Sequence, residues 1–319
     1  MKVPFLSSLI LCKQILSLKY QQNGVYLEND FDYQNMDQEI LNGITAGYNR
    51  FYIGFYFSQY GCWSACQNFI DLPGKNQVLN DAISRNAKII LSVGGPTESP
   101  EWVINQGWDY VNGFGANASA FAKAQGFHGI DFGVHLAGDP SIPSSYANDG
   151  SLAKYIQTLV SQAKLAGFSS DQIYISGQAP YFSPQFTGNL VENSFSYSLL
   201  DANENETFYA GNANLVMFNE GNAYGSFDNM FERNLNYPGS SVQEIFDFGV
   251  TKANLVVEKP VIQVSGTVAN GYVSPTTLGE WACEANTTFG WNAGFTGWTW
   301  NTKDEYPVLQ WPADLMSQC

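Results

Sequence analysis

Short runs of β-branched and aromatic residues recur along this chain at intervals of roughly 30 to 45 residues, with helix-period segments between them. They fall at 24–28, 51–57, 88–93, 128–135, 172–178, 213–219, 260–265 and 295–300. The clearest helical stretches are Gln77 to Ala87, Ala116 to Gln125, Leu152 to Ala166, Ser241 to Ala253 and Thr276 to Ala285. The stretch from Leu152 sets Leu152, Tyr155, Ile156, Leu159, Val160 and Ala163 on one face. Strands alternating with helices predict parallel strands joined by crossover helices. Eight such strands within 319 residues predict a sheet closed on itself: a single (β/α)8 TIM barrel over residues 24–319. No low-complexity linker divides the chain, and the Gly/Asn/Pro-rich stretches 139–150 and 219–241 read as long loops after strands.

Charge narrows the partners. Only 13% of residues are charged, about half the usual share, and the net charge is −15 with a pI near 4.3. Such a chain is repelled by phosphate, which excludes nucleic acid and anionic membrane surfaces. Aromatics make up 15%, including 8 Trp and 18 Tyr. That content suits stacking on sugars and suits core packing equally. Low charge and abundant Asn and Gln also suit self-association.

Residues 1–20 read as a secretory signal: Lys2 precedes the apolar run Val3 to Leu11, although Lys13 interrupts it and no small-x-small cleavage site stands before Tyr20. No other stretch approaches the ~20 apolar residues of a membrane span. With Cys12 in that leader, Cys62, Cys66, Cys283 and Cys319 remain. Their even count permits two bridges, and nearness in sequence pairs Cys62 with Cys66 and Cys283 with Cys319. Asn117, Asn205 and Asn286 each head a glycosylation triplet. These features together predict an extracellular glycoprotein.

Gly129-Ile130-Asp131-Phe132-Gly133-Val134-His135, preceded by His128, resembles the fourth strand of family-18 glycoside hydrolases, whose motif is Asp-Gly-Ile-Asp-Phe-Asp-Ile-Glu. Other landmarks follow in the family's order. Ala87 to Gly95 resembles its third strand, ending in Ser-x-Gly-Gly. Tyr174 to Tyr181 is similar to the fifth strand of the hevamine-like, plant class III branch, and Leu215 to Asn219 to its sixth. Lys259 to Val264 sits where the seventh belongs, and Gly294 to Trp300 matches the eighth, whose final Trp floors a sugar subsite.

The resemblance implies a chitinase-like barrel that binds N-acetylglucosamine-type glycans. It also locates what is missing. In the family the last Glu of the motif is the general acid, and the Asp two before it braces the acetamido group that serves as nucleophile. Here those positions are His135 and Gly133, while Asp131 is retained. The sixth-strand Gln and Tyr become Met217 and Asn219, or Val216 and Phe218 in a register shifted by one. Period-2 geometry would aim Asp131, Gly133 and His135 into the barrel mouth. Acid and electrostatic contributions are each worth about 10²–10⁴ in rate, so no catalytic residue of the family type is expected. Carbohydrate contacts are expected from Trp300, Gln178, Tyr181, His135, Met217 and Asn219. Trp300 reads either as core or as the sugar-stacking floor, the resemblance favouring the floor. Asp131 reads as a support hydrogen-bonded to backbone or to Ser92.

No metal or cofactor is expected. His128 and His135 are the only histidines, and seven positions apart on a strand they face opposite sides. No Cys or carboxylate cluster has ligand spacing. Three functions remain open: a silent carbohydrate-binding relative of chitinases; a hydrolase of altered chemistry using His135 or one of Glu98, Glu220 and Asp304; and a structural, storage or inhibitor protein on the same barrel.

Overall fold

The structure, a computed structural model, describes residues 20–28, 35–134, 149–185, 193–200, 209–218, 221–262, 271–300 and 305–317. Residues 1–19 of the expected 1–20 signal segment, His135, Asn205, Asn219, Glu220, Asp304 and Cys319 lie outside them.

The β-branched and aromatic runs become strands β1 (Gln22–Leu27), β2 (Arg50–Phe57), β4 (Lys88–Gly94), β5 (Gly129–Val134), β6 (Ile173–Gln178), β7 (Asn212–Val216), β8 (Leu255–Pro260) and β9 (Gly294–Trp300). Each pairs in parallel with its neighbour, and β1 pairs with both β2 and β9, so the eight strands close. The two-residue β3 (Gly61–Cys62) adds an antiparallel arm to the end of β2. Helices Met36–Ala46, Lys75–Ser84, Trp108–Gln125, Ser151–Leu165, Val242–Asp247, Pro275–Phe289 and Glu305–Met316 lie in the connections. Among the described residues no helix is long and apolar enough to cross a membrane.

One strand and one helix differ from expectation. The seventh barrel strand is Leu255–Pro260, not 260–265. Leu255, Val256 and Val257 supply its buried run, and Glu258 and Lys259 disguise the rest. Pro260 has no N–H to continue a ladder. The helix expected from Ser241 to Ala253 is only Val242–Asp247. Ser241 and Glu244 form a capping box at its start.

Alternate strand residues face in or out. Outward residues such as Val25, Phe51, Ile53, Ile89, Leu91 and Ile130 join the helices in the main core. Inward residues form a smaller aromatic cluster of Tyr26, Tyr52, Phe55, Ile90 and Tyr174. Two irregularities break the alternation. Ile53 and Tyr56 of β2 pair with Leu91 and Val93, so three steps on one strand match two on the other. On β9, Gly297 and Trp300 pair with Val25 and Leu27 in the same way. An extra residue exchanges the faces beyond it.

Lys259 is buried outside the barrel sheet. Its ammonium donates to the carbonyls of Met217, Tyr224 and Gly271, the last two at 3.1 Å. A buried charge is tolerated only when its donors are satisfied in this way.

Candidate functional site at the barrel mouth

Asp131 sits at the barrel centre, fully buried. Ser176 Oγ donates to its Oδ1 at 2.6 Å and Ser92 Oγ to its Oδ2 at 2.8 Å. The Tyr26 hydroxyl lies 3.1 Å from Oδ2 and 2.7 Å from Ser176 Oγ. Asn214 extends the network: its amide donates to Ser176 Oγ at 2.9 Å, and its carbonyl accepts from Thr296 Oγ1 at 3.0 Å. Burial pushes the carboxyl up to about 6, against the lowering pull of the three hydroxyls. The Tyr26 phenol is raised well above its ordinary value by burial, then by the charges of Asp131 and Glu258. Asp131 is thus held within the barrel, with its acceptor sites turned to hydroxyls on β1, β4 and β6.

Above Asp131 the β5 strand approaches β4 closely. A Cβ on Gly94, whose φ is +90°, would meet the Gly133 carbonyl oxygen at 2.5 Å. Both glycines therefore narrow the mouth with backbone, and Gly133 brings no carboxylate to it. His128 does not reach this end. Its Nδ1 accepts from the Ile89 N–H at 2.9 Å, and burial, then Lys88, lowers its pKa to about 4. It ties β5 to β4 as a neutral imidazole.

The structure moves the aromatic floor. Trp300 is fully buried in the main core, not in the mouth. Its ring centroid lies 6.0 Å from that of Tyr48, and it packs over Gly43, where a Cβ would come within 2.9 Å of the indole. The extra residue in β9 turns Trp300 outward and leaves Trp298 facing in. Trp298, half-buried, lies 5.1 Å from Tyr26, 6.3 Å from Phe55 and 6.1 Å from Phe218, centroid to centroid.

Two further expected contacts are also displaced. Met217 is buried in the main core, because β7 ends at Val216 and its outward phase carries over. Tyr181 is 2% exposed and lies 5.6 Å from Phe195, in the main core at the turn Ala179–Phe182 that follows β6. Gln178 does end β6 on the inward phase of Tyr174 and Ser176, and it is buried. His135 and Asn219 lie outside the described residues.

Cys62 and Cys66 form a disulfide with Cα atoms 5.4 Å apart. Cys283 is disulfide-bonded too, while Cys319, its expected partner, lies outside the described residues. Asn117 is exposed on the helix Trp108–Gln125, and Asn286 is half-buried on Pro275–Phe289. Among the described residues no His, Cys, Asp and Glu cluster could hold a metal.

Sequence reasoning missed three mouth residues. Glu258, buried on β8, shares the inward phase of its partner Thr296. It was hidden by the misplaced strand, although Leu255-Val256-Val257-Glu258 carried the signal. Tyr60 and Trp63 stand on the hairpin after β2, 69% and 58% exposed. Two aromatics bracketing Gly61 and Cys62 in a short disulfide loop were the sign. With Phe57, Gln59, Thr97 and Glu98 they line a cleft of about 490 Å³ at the C-terminal ends of β2 and β4. The opposite end has a polar cleft of about 480 Å³ that includes Arg50, Lys88 and Asp171. In this architecture that N-terminal end serves stability, and sites form at the C-terminal end.

No protein-family model and no curated protein matches the sequence. Solved structures do resemble the chain. A GH18 chitinase from Pseudoalteromonas aurantia superposes with a TM-score of 0.66 at 13% identity, covering 92% of this chain and 100% of that one. A GH18 chitinase from Cycas revoluta, in complex with (GlcNAc)3, gives 0.57 at 12% over 92% and 98%. The chitinase-like agglutinin RobpsCRA from Robinia pseudoacacia gives 0.58 at 12% over 92% and 99%. Identities this low establish the fold alone: a single (β/α)8 barrel of the kind seen in family-18 chitinases and in a chitinase-like agglutinin.

Proposed function

We propose that this barrel binds carbohydrate of the N-acetylglucosamine type at its C-terminal mouth and does not hydrolyse it. The carrying observation is the state of β5. Gly133 offers only backbone where the family-18 motif has its bracing carboxylate, and Asp131 is engaged by Ser92, Ser176 and Tyr26. An inward Trp298 supports stacking, which needs no acid, so binding can outlast catalysis. A chitinase bound to (GlcNAc)3 and a chitinase-like agglutinin are both of this fold, which favours a sugar over an unrelated ligand. Contacts of this kind leave Kd at about the micromolar to millimolar level. Calorimetry with chitin oligosaccharides should give weak binding to wild type that Trp298→Ala abolishes. Chromatography of the same mixtures should show no shorter products. If wild type releases oligosaccharide and His135→Ala stops it, the protein is an enzyme of the family type. Gly133→Asp with His135→Glu is the complementary arm, reinstating both family side chains.

A second reading, a hydrolase of altered chemistry, has one specific support in Glu258, an inward carboxylate near the mouth. Product release that survives His135→Ala and disappears in Glu258→Gln would establish it. We also infer secretion, supported by the apolar run Val3 to Leu11, the bonded cysteines and the exposed Asn117. Mass spectrometry of mature protein retaining residues 1–20 would overturn it.

A further inference from the structure

The hairpin after β2 is built to hold aromatic rings in water. Gly61 and Cys62 pair antiparallel with Phe57 and Tyr56, and the Trp63 N–H donates to the Phe55 carbonyl at 3.0 Å. The Cys62–Cys66 bridge ties the arm to the helix Ala65–Asp71. The rings of Tyr60 and Trp63 stand with centroids 6.1 Å apart at an interplanar angle of 53°. The two exposed rings thus make one contiguous aromatic surface on a constrained support.

The third wall of the cleft is charged. Glu98 accepts from the Ser58 N–H at 2.7 Å and from Ser58 Oγ at 2.9 Å. Ser58 is itself fixed, its carbonyl accepting from the Tyr110 hydroxyl at 3.2 Å. Phe57, Gln59 and Thr97 complete the lining, which among the described residues contains no basic side chain. Two ring faces and a carboxylate around one cleft are the elements by which proteins hold organic cations. The whole chain, at −15, adds a field that draws cations toward it.

We propose that the Tyr60–Trp63–Glu98 cleft binds a protonated amino sugar, so that the protein favours a glucosamine-bearing saccharide over its fully N-acetylated counterpart. This rests on the reading of the barrel as a carbohydrate binder and names a second, charge-selective subsite for it. Pyranose C–H faces stack on Tyr60 and Trp63, and the ammonium sits between ring faces and Glu98. Acetylation removes that charge.

The test is calorimetric titration with β-1,4-linked glucosamine oligosaccharide and with the N-acetylated oligosaccharide of the same length. It is run at mildly acidic pH, at low and high ionic strength, on wild type and the variants Trp63→Ala, Glu98→Gln and Trp298→Ala. Glu98→Gln keeps both contacts to Ser58, since its carbonyl accepts from the N–H and its amide donates to the hydroxyl. Trp63 is mostly exposed, so its loss leaves the fold intact, which the melting temperature verifies. Wild type should bind the amine ligand about tenfold more tightly. That preference should vanish in Glu98→Gln and at high salt, and Trp63→Ala should weaken amine binding by about the same factor. Equal binding of the two ligands to wild type, a preference that survives Glu98→Gln, or no amine binding at all overturns the proposal. Acetylated-ligand binding that is lost in Trp298→Ala but retained in Trp63→Ala upholds the mouth reading by itself, so the two ideas fail separately.

Discussion

Asp131 on β5 and His128 just before it lie three residues apart and respond to acid in opposite senses. Asp131, raised to about 6, keeps its proton in the folded state at pH values where the unfolded chain has lost it. Its contribution is therefore greatest near pH 4 and declines by on the order of 3 kcal/mol as pH rises to about 6. His128, lowered to about 4, stays neutral while the unfolded imidazole charges. Its contribution is present above about pH 6.5 and is lost as pH falls toward 4. The two slopes offset each other in wild type. Asp131→Asn should make the melting temperature rise more steeply with pH between about 4 and 6. His128→Asn, whose carbonyl still accepts from Ile89, should make it fall instead. Calorimetric scans across that window check both, and profiles parallel to wild type would remove the assignment. The tryptophans separate in the same way. Trp300→Ala should cost about 3–5 kcal/mol of stability in urea titrations, as a large core deletion does. Trp298→Ala should cost less while acting on sugar binding. The sequence alone allowed Trp300 either role, because nothing in Gly297 to Trp300 marks the added residue that exchanges the faces.

At the level of elements, most of the barrel was legible. Seven of eight strands lie where β-branched and aromatic runs predicted them, since their outward faces are covered by helices and stay apolar whatever points inward. The seventh barrel strand was shifted because Glu258 and Lys259 put two charges at its end, one facing inward and one held by carbonyls. The role of Asp131 was partly legible: backbone or Ser92 was expected as its partner and Ser92 is one, whereas Ser176 and Tyr26 come from strands whose register no local pattern reveals. The hairpin after β2 was read only for its cysteines. Its bridge closes a loop of few residues, so Cys62→Ser with Cys66→Ser should lower global stability by no more than about 2 kcal/mol. The local effect should be larger: amide exchange at 58–64 should accelerate while 51–55 stay protected. Unchanged exchange at the hairpin would mean that the antiparallel pairing alone fixes Tyr60 and Trp63.

The whole molecule divides its labour between its ends. The N-terminal end gathers Arg50, Lys88 and Asp171 in a polar setting, and the C-terminal end gathers Phe57, Tyr60 and Trp63 around a cleft. The −15 charge acts over both through solvent, weakened within about 10 Å by salt. Lys259 gives this architecture a built-in reporter. Its amine bridges the end of β7, the turn at Tyr224 and Gly271, so no acylating reagent can reach it while those three segments stay joined. In a native sample treated with an amine-reactive ester, exposed lysines should label at once and Lys259 only at the rate at which this side of the barrel opens. Mass spectrometry of that single peptide would then time the opening of the wall beside the mouth, and a sugar seated there should slow the clock.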